Sequence, residues 1–165
     1  MRYTLRMALT LTSTAFADNE KIPAKYTCDG ERLLAPPLSI SGVPAGTKSL
    51  ALIMDDPDIP TVAKKARGIE ELNHWVLYNI PAATIEIPEG GALGDTGKNG
   101  IGTAAYIGPC PPPEHEPSEH RYIFTLYALS GTVSFATPPA KAELVAAITP
   151  LVIEQATLTG RYSRK

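Results

Sequence analysis

The 165-residue sequence contains no apolar run that approaches the roughly 20 residues of a membrane-spanning helix. Its charge is nearly balanced, with 15 basic and 17 acidic residues and a formal net charge of −2. So small an excess charge gives a nucleic acid or an anionic membrane no strong field to follow. We therefore expect neither nucleic acid binding nor stable membrane insertion. The short basic group Lys64, Lys65 and Arg67 precedes Glu70 and Glu71 and is interpreted as a solvated loop.

Cysteine is scarce, and the spacings that chemistry often requires are missing. The two cysteines, Cys28 and Cys110, form neither a Cys-x-x-Cys pair nor a Cys/His metal pattern, and no His-x-x-x-His pair exists. We therefore expect no metal and no cofactor. A Gly-x-Ser-x-Gly elbow is also absent, which argues against a serine hydrolase of that class. Both cysteines lie in turn-rich segments and are compatible with free thiols or one disulfide; we favour free thiols.

Proline and glycine, by contrast, are abundant, with 16 and 13 residues. They predict a turn-rich, mainly β fold, and the length predicts one domain over residues 1–165. Residues 3–11 alternate apolar and polar side chains, which predicts a half-buried strand. The stretch from Ala8 to Phe16 also scans as a weak signal peptide. We favour a mature strand and a cytoplasmic location, with the periplasm as the alternative if the N-terminus were processed.

Short apolar segments bounded by turn residues predict the remaining strands, at 36–40, 49–54, 74–80, 120–129 and 157–163. Residues 49–54 are apolar without interruption, as in a strand buried on both faces. Near the C-terminus, Thr137 is predicted to cap a helix that Pro150 kinks or splits. Its apolar stripe consists of Leu144, Ala147, Ile148, Leu151 and Val152. One helical segment on a β chain favours a β-sandwich with a peripheral helix.

Polar side chains stand at the ends of three of these strands. Asp56 and Asp58 follow the strand 49–54, whereas His74 and His120 begin the next two strands. If the first two strands are antiparallel neighbours, Asp56, Asp58 and His74 share one rim of the sheet. His120 reaches the same rim if its strand runs alongside the second. Alternation places His120 and Tyr122 on one face with Phe124 and Leu126, and aligns His74 with Val76 and Tyr78. Both imidazoles are therefore expected at the edge of the core.

Such a rim suits a small anion, phosphate-like in size and charge. A carboxylate beside an imidazole raises the histidine pKa, and histidine N–H, tyrosine O–H and backbone N–H groups of residues 108–113 supply donors. Each residue alone has a structural explanation, since buried histidines are often satisfied core residues and Asp-Pro-Asp is a common turn. Zinc binding and catalysis are weaker alternatives. A hydrolase would need Cys110 or Ser118 as the nucleophile.

These motifs, in this order, resemble the phosphatidylethanolamine-binding protein family, and most closely its bacterial, Raf-kinase-inhibitor-like branch. The similarity covers nearly the whole chain. It rests on these segments: Tyr26-Thr27-Cys28-Asp29-Gly30, Asp56-Pro57-Asp58-Ile59-Pro60, Asn73-His74-Trp75-Val76, Gly108-Pro109-Cys110-Pro111-Pro112, Glu119-His120-Arg121-Tyr122-Ile123-Phe124 and Leu158-Thr159-Gly160-Arg161-Tyr162.

The resemblance implies a Greek-key β-sandwich with a short C-terminal helical segment and a small anion pocket at one end. It implies ligand contacts from Asp56, His74, His120 and Tyr122, with walls formed by Asp58, Pro111 and Pro112. It also implies a non-enzymatic protein that binds a small anionic or phosphorylated ligand and acts as a regulator. A protein partner, such as a kinase, and a homodimer stay open. An esterase or other hydrolase that uses the His/Asp pocket or Cys110 is the alternative.

The sequence departs from the family pattern between Pro112 and His120. This segment is longer than the short Gly-containing link usual there, and it contains Glu114, Glu116 and Glu119. Three glutamates beside an anion site lower its electrostatic potential, so we expect them to weaken or narrow anion binding. A partner-binding function would further require an exposed apolar patch beside the pocket.

Overall fold

A strand that is buried along almost its whole length forms the centre of the molecule. The structure is a computed structural model, and it describes residues 5–164. Within that range the chain forms nine strands and two α-helices. They are β1 (Thr10–Thr12), β2 (Glu20–Lys21), β3 (Leu38–Ser41), β4 (Ser49–Asp56), α1 (Thr61–Arg67), β5 (Leu72–Pro81), β6 (Glu86–Ile87), β7 (Asp95–Thr96), β8 (Glu119–Leu129), α2 (Lys141–Ile148) and β9 (Val152–Ser163). Short 3₁₀ turns occupy Ala24–Tyr26 and Thr149–Leu151.

The strands form two sheets, which confirms the predicted mainly β, two-layer fold. The larger sheet has the order β2-β9-β8-β4-β5-β7, and the smaller one has the order β1-β3-β6. The central strand β4 is covered on both faces, as its unbroken apolar run predicted. One face, with Leu50, Leu52 and Met54, belongs to the main core with residues of the smaller sheet. The other face, with Ala51 and Ile53, packs with residues of α2.

The N-terminal strand is shorter than the predicted 3–11, of which residues 3 and 4 lie outside the described part of the chain. Only Thr10–Thr12 is paired, and its partner β3 ends at Ser41. Gly42 then turns the chain away with a φ of 69°, so residues before Thr10 have no strand to pair with. The alternation therefore fails at its start, where Leu5 and Met7 are 94% and 72% exposed, although Leu9 and Leu11 are buried.

The connection between β4 and β5 contains a helix that the sequence did not reveal. The basic group predicted to lie in a loop belongs instead to α1, which follows Pro60 and ends at Gly68 in the left-handed conformation. None of its side chains is buried. Without an apolar stripe facing the core, the seven-residue helix left no periodic signal in the sequence.

The C-terminal helix begins later than predicted, and Thr137 does not cap it. The N-cap is Ala140, because the Pro139–Ala140 segment is extended and accepts a hydrogen bond from the backbone N–H of Lys98. Pro150 does end the helix, which passes into a 3₁₀ turn at Ile148. Strand β9 starts at Val152 instead of residue 157, because it pairs with the full length of β8. No helix within residues 5–164 is long and apolar enough to cross a membrane.

The two cysteines are bonded to each other, so the expectation of free thiols was wrong. Their Cα atoms are 5.3 Å apart, within the usual range for a disulfide. The backbone N–H of Cys28 also donates to the Pro109 carbonyl at 3.0 Å, which joins the two loops beside the bond. Because 82 residues separate the cysteines, no local pattern in the sequence indicated this pairing.

Candidate functional site

The predicted rim exists where β4 ends and β5 and β8 begin. Strand β4 pairs with β5 and β8, in both cases antiparallel, and Met54 lies opposite both Trp75 and Phe124. Asp56, at the end of β4, therefore lies on the same face as Tyr122, near the start of β8. The antiparallel pairing of β4 with β5 is as predicted, but the expectation that the strand of His120 runs alongside β5 was wrong, because β8 pairs with the other edge of β4.

His74 reaches this face only because β5 contains an extra residue. Met54 pairs with Trp75 and Asp55 pairs with Asn73, so the ladder shifts register at His74. Simple alternation would group His74 with Val76, which lies in the cluster on the opposite face of the sheet. The irregularity instead places the His74 ring 5.2 Å from the Tyr122 ring, with the two planes nearly perpendicular. A β-bulge, and not strand parity, thus completes the site.

Asp56 and His120 form a buried pair at the base of the site. His120 Nδ1 lies 2.7 Å from Asp56 Oδ2, and both side chains are almost fully buried. The second carboxylate oxygen accepts the backbone N–H of Asp58 at 2.8 Å. Both oxygens of Asp56 are therefore occupied within the protein, and this carboxylate orients His120.

Asp58 plays a different part from the wall that the resemblance implied. Its carboxylate accepts the backbone N–H, Nε and a terminal nitrogen of Arg121, each at 2.9 Å. The guanidinium holds the pKa of Asp58 below its ordinary value. Arg121 is thus a half-exposed ion-pair partner of Asp58 at the surface. The Asp58 carboxylate faces that partner, whereas the cavity wall is formed by other residues.

His74 does not have the raised pKa that the sequence led us to expect. Its ring is buried, and burial lowers the pKa of His74 because it disfavours the charged imidazolium. The Ile107 carbonyl accepts a hydrogen bond from Nδ1 at 2.7 Å, which fixes the ring against the loop before Cys110. Burial likewise raises the pKa of Tyr122, so its phenol stays protonated and available as a donor.

These side chains meet at a cavity of about 410 Å³. Its wall includes six of the seven predicted ligand residues: Asp56, His74, Pro111, Pro112, His120 and Tyr122. His74 Nε2, His120 Nε2 and the Tyr122 hydroxyl are buried and have no hydrogen-bond partner within residues 5–164. Buried polar atoms are rarely left unpaired, so three of them at one cavity are evidence for a binding site.

Sequence reasoning missed two arginines that line the cavity, Arg32 and Arg67. Arg67 belongs to the unforeseen helix α1, and Arg32 follows the disulfide loop. The backbone carbonyl of Arg32 accepts the N–H of Gly108 at 2.7 Å, which fixes the Arg32 loop beside the cavity. No local motif connected either arginine with the rim, because their proximity depends on the disulfide and on the packing of α1.

The mouth of the cavity is mixed in character. Val62 and Ile101 line it and are 63% and 52% exposed, which agrees with the apolar patch that a partner-binding function would require. Glu114 and His115 lie at the same mouth. Glu119, by contrast, begins β8 and pairs with Arg161. The acidic segment therefore lowers the electrostatic potential at the cavity less than its sequence suggested. In the described part of the chain, no group of three or more His, Cys, Asp and Glu side chains is placed to hold a metal ion.

Comparison with known proteins agrees with this geometry. Residues 12–163 match the family model described as phosphatidylethanolamine-binding protein. A UPF0098 protein of Methanothermobacter thermautotrophicus is 40% identical over 163 residues, which cover 94% of this chain and 99% of the relative. A UPF0098 protein of Pyrococcus horikoshii, PH1269, is 40% identical over 93% of this chain and 76% of its own length.

Solved structures of family members are also similar to this chain. A homologue from Chlamydia trachomatis, CT736, described as a phosphatidylethanolamine-binding protein homologue, superposes with a TM-score of 0.87 at 37% identity, covering 96% of this chain and 99% of its own. Escherichia coli YbcL, described as a member of the mammalian family, superposes with a TM-score of 0.82 at 28% identity, covering 96% and 100%. The chain belongs to the phosphatidylethanolamine-binding protein family.

Proposed function

We propose that this protein binds a small phosphorylated or otherwise anionic ligand in the cavity at the His74, His120 and Tyr122 rim, without chemically changing it. Membership of the family supports a binding or regulatory protein in general. The observation that carries the finer proposal is a set of three buried polar atoms, without hydrogen-bond partners among the described residues, on side chains that line one cavity. Leaving such atoms unpaired has a cost that a bound ligand removes.

The lining arginines and the size of the cavity agree with this ligand class. Arg32 and Arg67 are among the residues that line the cavity, and a guanidinium group pairs well with phosphate or carboxylate. A volume of about 410 Å³ falls within the range of small-molecule sites and exceeds what a lone phosphate ion fills. The cavity thus has room for a phosphate and a small organic group attached to it.

The wall offers little to the hydrolase alternative. The one cysteine in it, Cys110, is bonded to Cys28 and has no thiol to deprotonate. Ser118, the hydroxyl considered from the sequence, lies outside the wall. Tyr122 is a poor nucleophile because burial keeps its phenol protonated.

Substituting Tyr122→Phe tests the proposal, because the hydroxyl it removes has no hydrogen-bond partner among residues 5–164. The variant should therefore keep its stability, yet bind inorganic phosphate about tenfold or more weakly, as for a lost hydrogen bond to a charged group. Binding is followed by the shifts of the His74 and His120 imidazole resonances during a phosphate titration. Tyr78→Phe, on the other face of the sheet, serves as the control and should leave the affinity unchanged.

Two results would refute the proposal. Imidazole resonances that do not move at millimolar phosphate would show that the cavity holds no such anion. Equal phosphate affinity in Tyr122→Phe and Tyr78→Phe would show that the anion binds somewhere else.

A further inference from the structure

The hydrogen-bond partners of the two imidazoles determine which of their nitrogen atoms carries a proton. His120 Nδ1 faces a carboxylate oxygen, and His74 Nδ1 faces the Ile107 carbonyl, both at 2.7 Å. Both partners only accept hydrogen bonds, so each Nδ1 must be the protonated nitrogen. In the neutral ring the other nitrogen, Nε2, then carries a lone pair. Both Nε2 atoms are buried and unpartnered in the described structure.

The cavity therefore presents lone pairs where an anion needs donors. A fully deprotonated phosphate oxygen would face these lone pairs and be repelled, because an acceptor does not bind an acceptor. Tyr122 supplies one donor, and burial lowers the pKa of His74, which keeps that ring neutral at neutral pH. A proton between the anion and an imidazole would convert the repulsion into a hydrogen bond.

The charges around the cavity also favour the addition of a proton when an anion binds. Two basic residues, Arg32 and Arg67, and two acidic residues, Asp56 and Glu114, line the cavity, and their formal charges cancel. The exposed His115 stands at the mouth, and Asp58 is paired with Arg121. With a neutral His74 ring, an anion thus meets lining residues whose formal charges give no excess positive charge. One added proton supplies the charge that matches a monoanion.

We propose that an anion binds in this cavity together with one proton, which is shared between an anion oxygen and the Nε2 of His74 or His120. The proton comes from solvent or arrives on the ligand. This inference rests on the proposed function and deepens it by defining the ligand class. A phosphomonoester suits the site because its own second pKa lies near 6, so its oxygen and the imidazole compete almost equally for the proton. A phosphodiester has no such oxygen and depends on protonation of the imidazole alone.

Isothermal titration calorimetry tests this coupling directly in buffers of different ionisation enthalpy. The probes are inorganic phosphate, phenyl phosphate as a monoester and dimethyl phosphate as a diester. Near pH 8, binding of phenyl phosphate should take up about one proton, and near pH 5.5 the uptake should fall towards zero because the ligand brings its own. Dimethyl phosphate affinity should fall about tenfold per pH unit above neutrality. At pH 7 it should also be about tenfold weaker than that of phenyl phosphate.

Inorganic phosphate distinguishes a free ion from an esterified group. Tighter binding of phenyl phosphate than of inorganic phosphate indicates that the organic group occupies the rest of the cavity. Tighter binding of the free ion indicates that the cavity accepts phosphate alone. Either result agrees with the proposed proton uptake, provided that the uptake itself is observed.

Variants locate the proton. Uptake should be lost in one of the two variants His74→Gln and His120→Gln, the one that replaces the imidazole that shares the proton, because a glutamine amide offers an N–H without titrating. Uptake that persists in both variants would overturn the inference. His115→Ala, at the exposed mouth, is the matched control and should keep the uptake. Binding of phenyl phosphate near pH 8 without proton uptake in the wild-type protein would overturn the inference, and so would uptake that disappears only in His115→Ala.

Failure of this inference is distinguishable from failure of the proposed function. If Tyr122→Phe weakens binding but the wild-type protein takes up no proton, the cavity is an anion site that works by another arrangement of donors. If none of the three probes binds even near pH 5.5, both proposals are refuted.

Discussion

Removing the disulfide should destabilise the protein strongly and weaken its anion site at the same time. The bond between Cys28 and Cys110 closes a loop of 82 residues, about half the chain. On the chain-entropy model, closing a loop of that length lowers the conformational entropy of the unfolded chain. This stabilises the folded state by about 4.5 kcal/mol at 25 °C. That is a large fraction of the 5 to 15 kcal/mol typical of a domain. We expect the double variant Cys28→Ser/Cys110→Ser to lose most of this amount.

The effect on binding follows from the position of the bond. Cys110 lies in the cavity wall next to Pro111, and Cys28 lies four residues before Arg32, whose guanidinium lines the same cavity. Without the bond, the Arg32 loop is held to the wall by hydrogen bonds such as Gly108 N–H to the Arg32 carbonyl. We therefore expect weaker phosphate binding in the double variant under conditions where it is still folded.

Urea unfolding of the oxidised protein, the reduced protein and the double variant measures the free energy of unfolding. The reduced protein is the matched control, because it lacks the bond but keeps both sulfur atoms. Agreement between the reduced protein and the variant would assign the loss to the bond itself. A loss below about 1 kcal/mol in both would refute the loop-entropy argument. An unchanged phosphate affinity in the folded double variant would refute the argument about the site.

Two further predictions concern the supports of the rim. In Gly108→Ala, the new Cβ would stand 2.4 Å from the backbone carbonyl oxygen of Tyr26, so the wall must shift, and we expect a loss of about 1 to 3 kcal/mol in urea unfolding and weaker phosphate binding. In the control Gly131→Ala, the new Cβ would make only ordinary van der Waals contact with the Leu151 side chain at 3.6 Å, so neither quantity should change. The Lys141 ammonium of α2 pairs with the Asp55 carboxylate of β4 at 2.7 Å, and burial raises the pKa of Asp55. Lys141→Met removes the cation beside this carboxylate and should lower the free energy of unfolding by about 2 to 3 kcal/mol at pH 7. Near pH 4 that loss should be smaller, because protonation removes the buried charge, and an equal loss at both pH values would contradict this reasoning.

The sequence was sufficient for the larger strands and for the rim, because both depend on local patterns. The uninterrupted apolar run of β4 and the β-branched, aromatic run of β8 are strong signals in their own right. Strand β4 ends at Asp56 and β8 begins at Glu119-His120, so the polar ends that meet at the rim were visible in the sequence. The order of the strands was not, because β8 pairs with β4 and not with β5, and this pairing is what brings Asp56 and His120 together.

What the sequence could not show depends on contacts between distant residues or on single irregular positions. The bulge at His74 reverses the face that alternation assigns to it, and nothing in Asn73-His74-Trp75 marks an extra residue. The disulfide joins positions 82 residues apart. The seven-residue helix α1 buries no side chain, so it had no apolar period to detect. Together these three features place His74, Arg32 and Arg67 at the cavity.

The Asp-Pro-Asp turn has a meaning in the structure that its sequence did not convey. Both carboxylates look like ligand groups in a motif, yet Asp56 is bonded to His120 and Asp58 to Arg121, two consecutive residues of β8. The turn therefore clamps the end of β4 to the start of β8, from opposite faces of the same strand. The Asp56 carboxylate orients the imidazole of His120, and the hydrogen-bond donors for a bound anion have to come from other residues. Under the proposed function, this arrangement lets a site with carboxylates at its base accept an anion together with a proton.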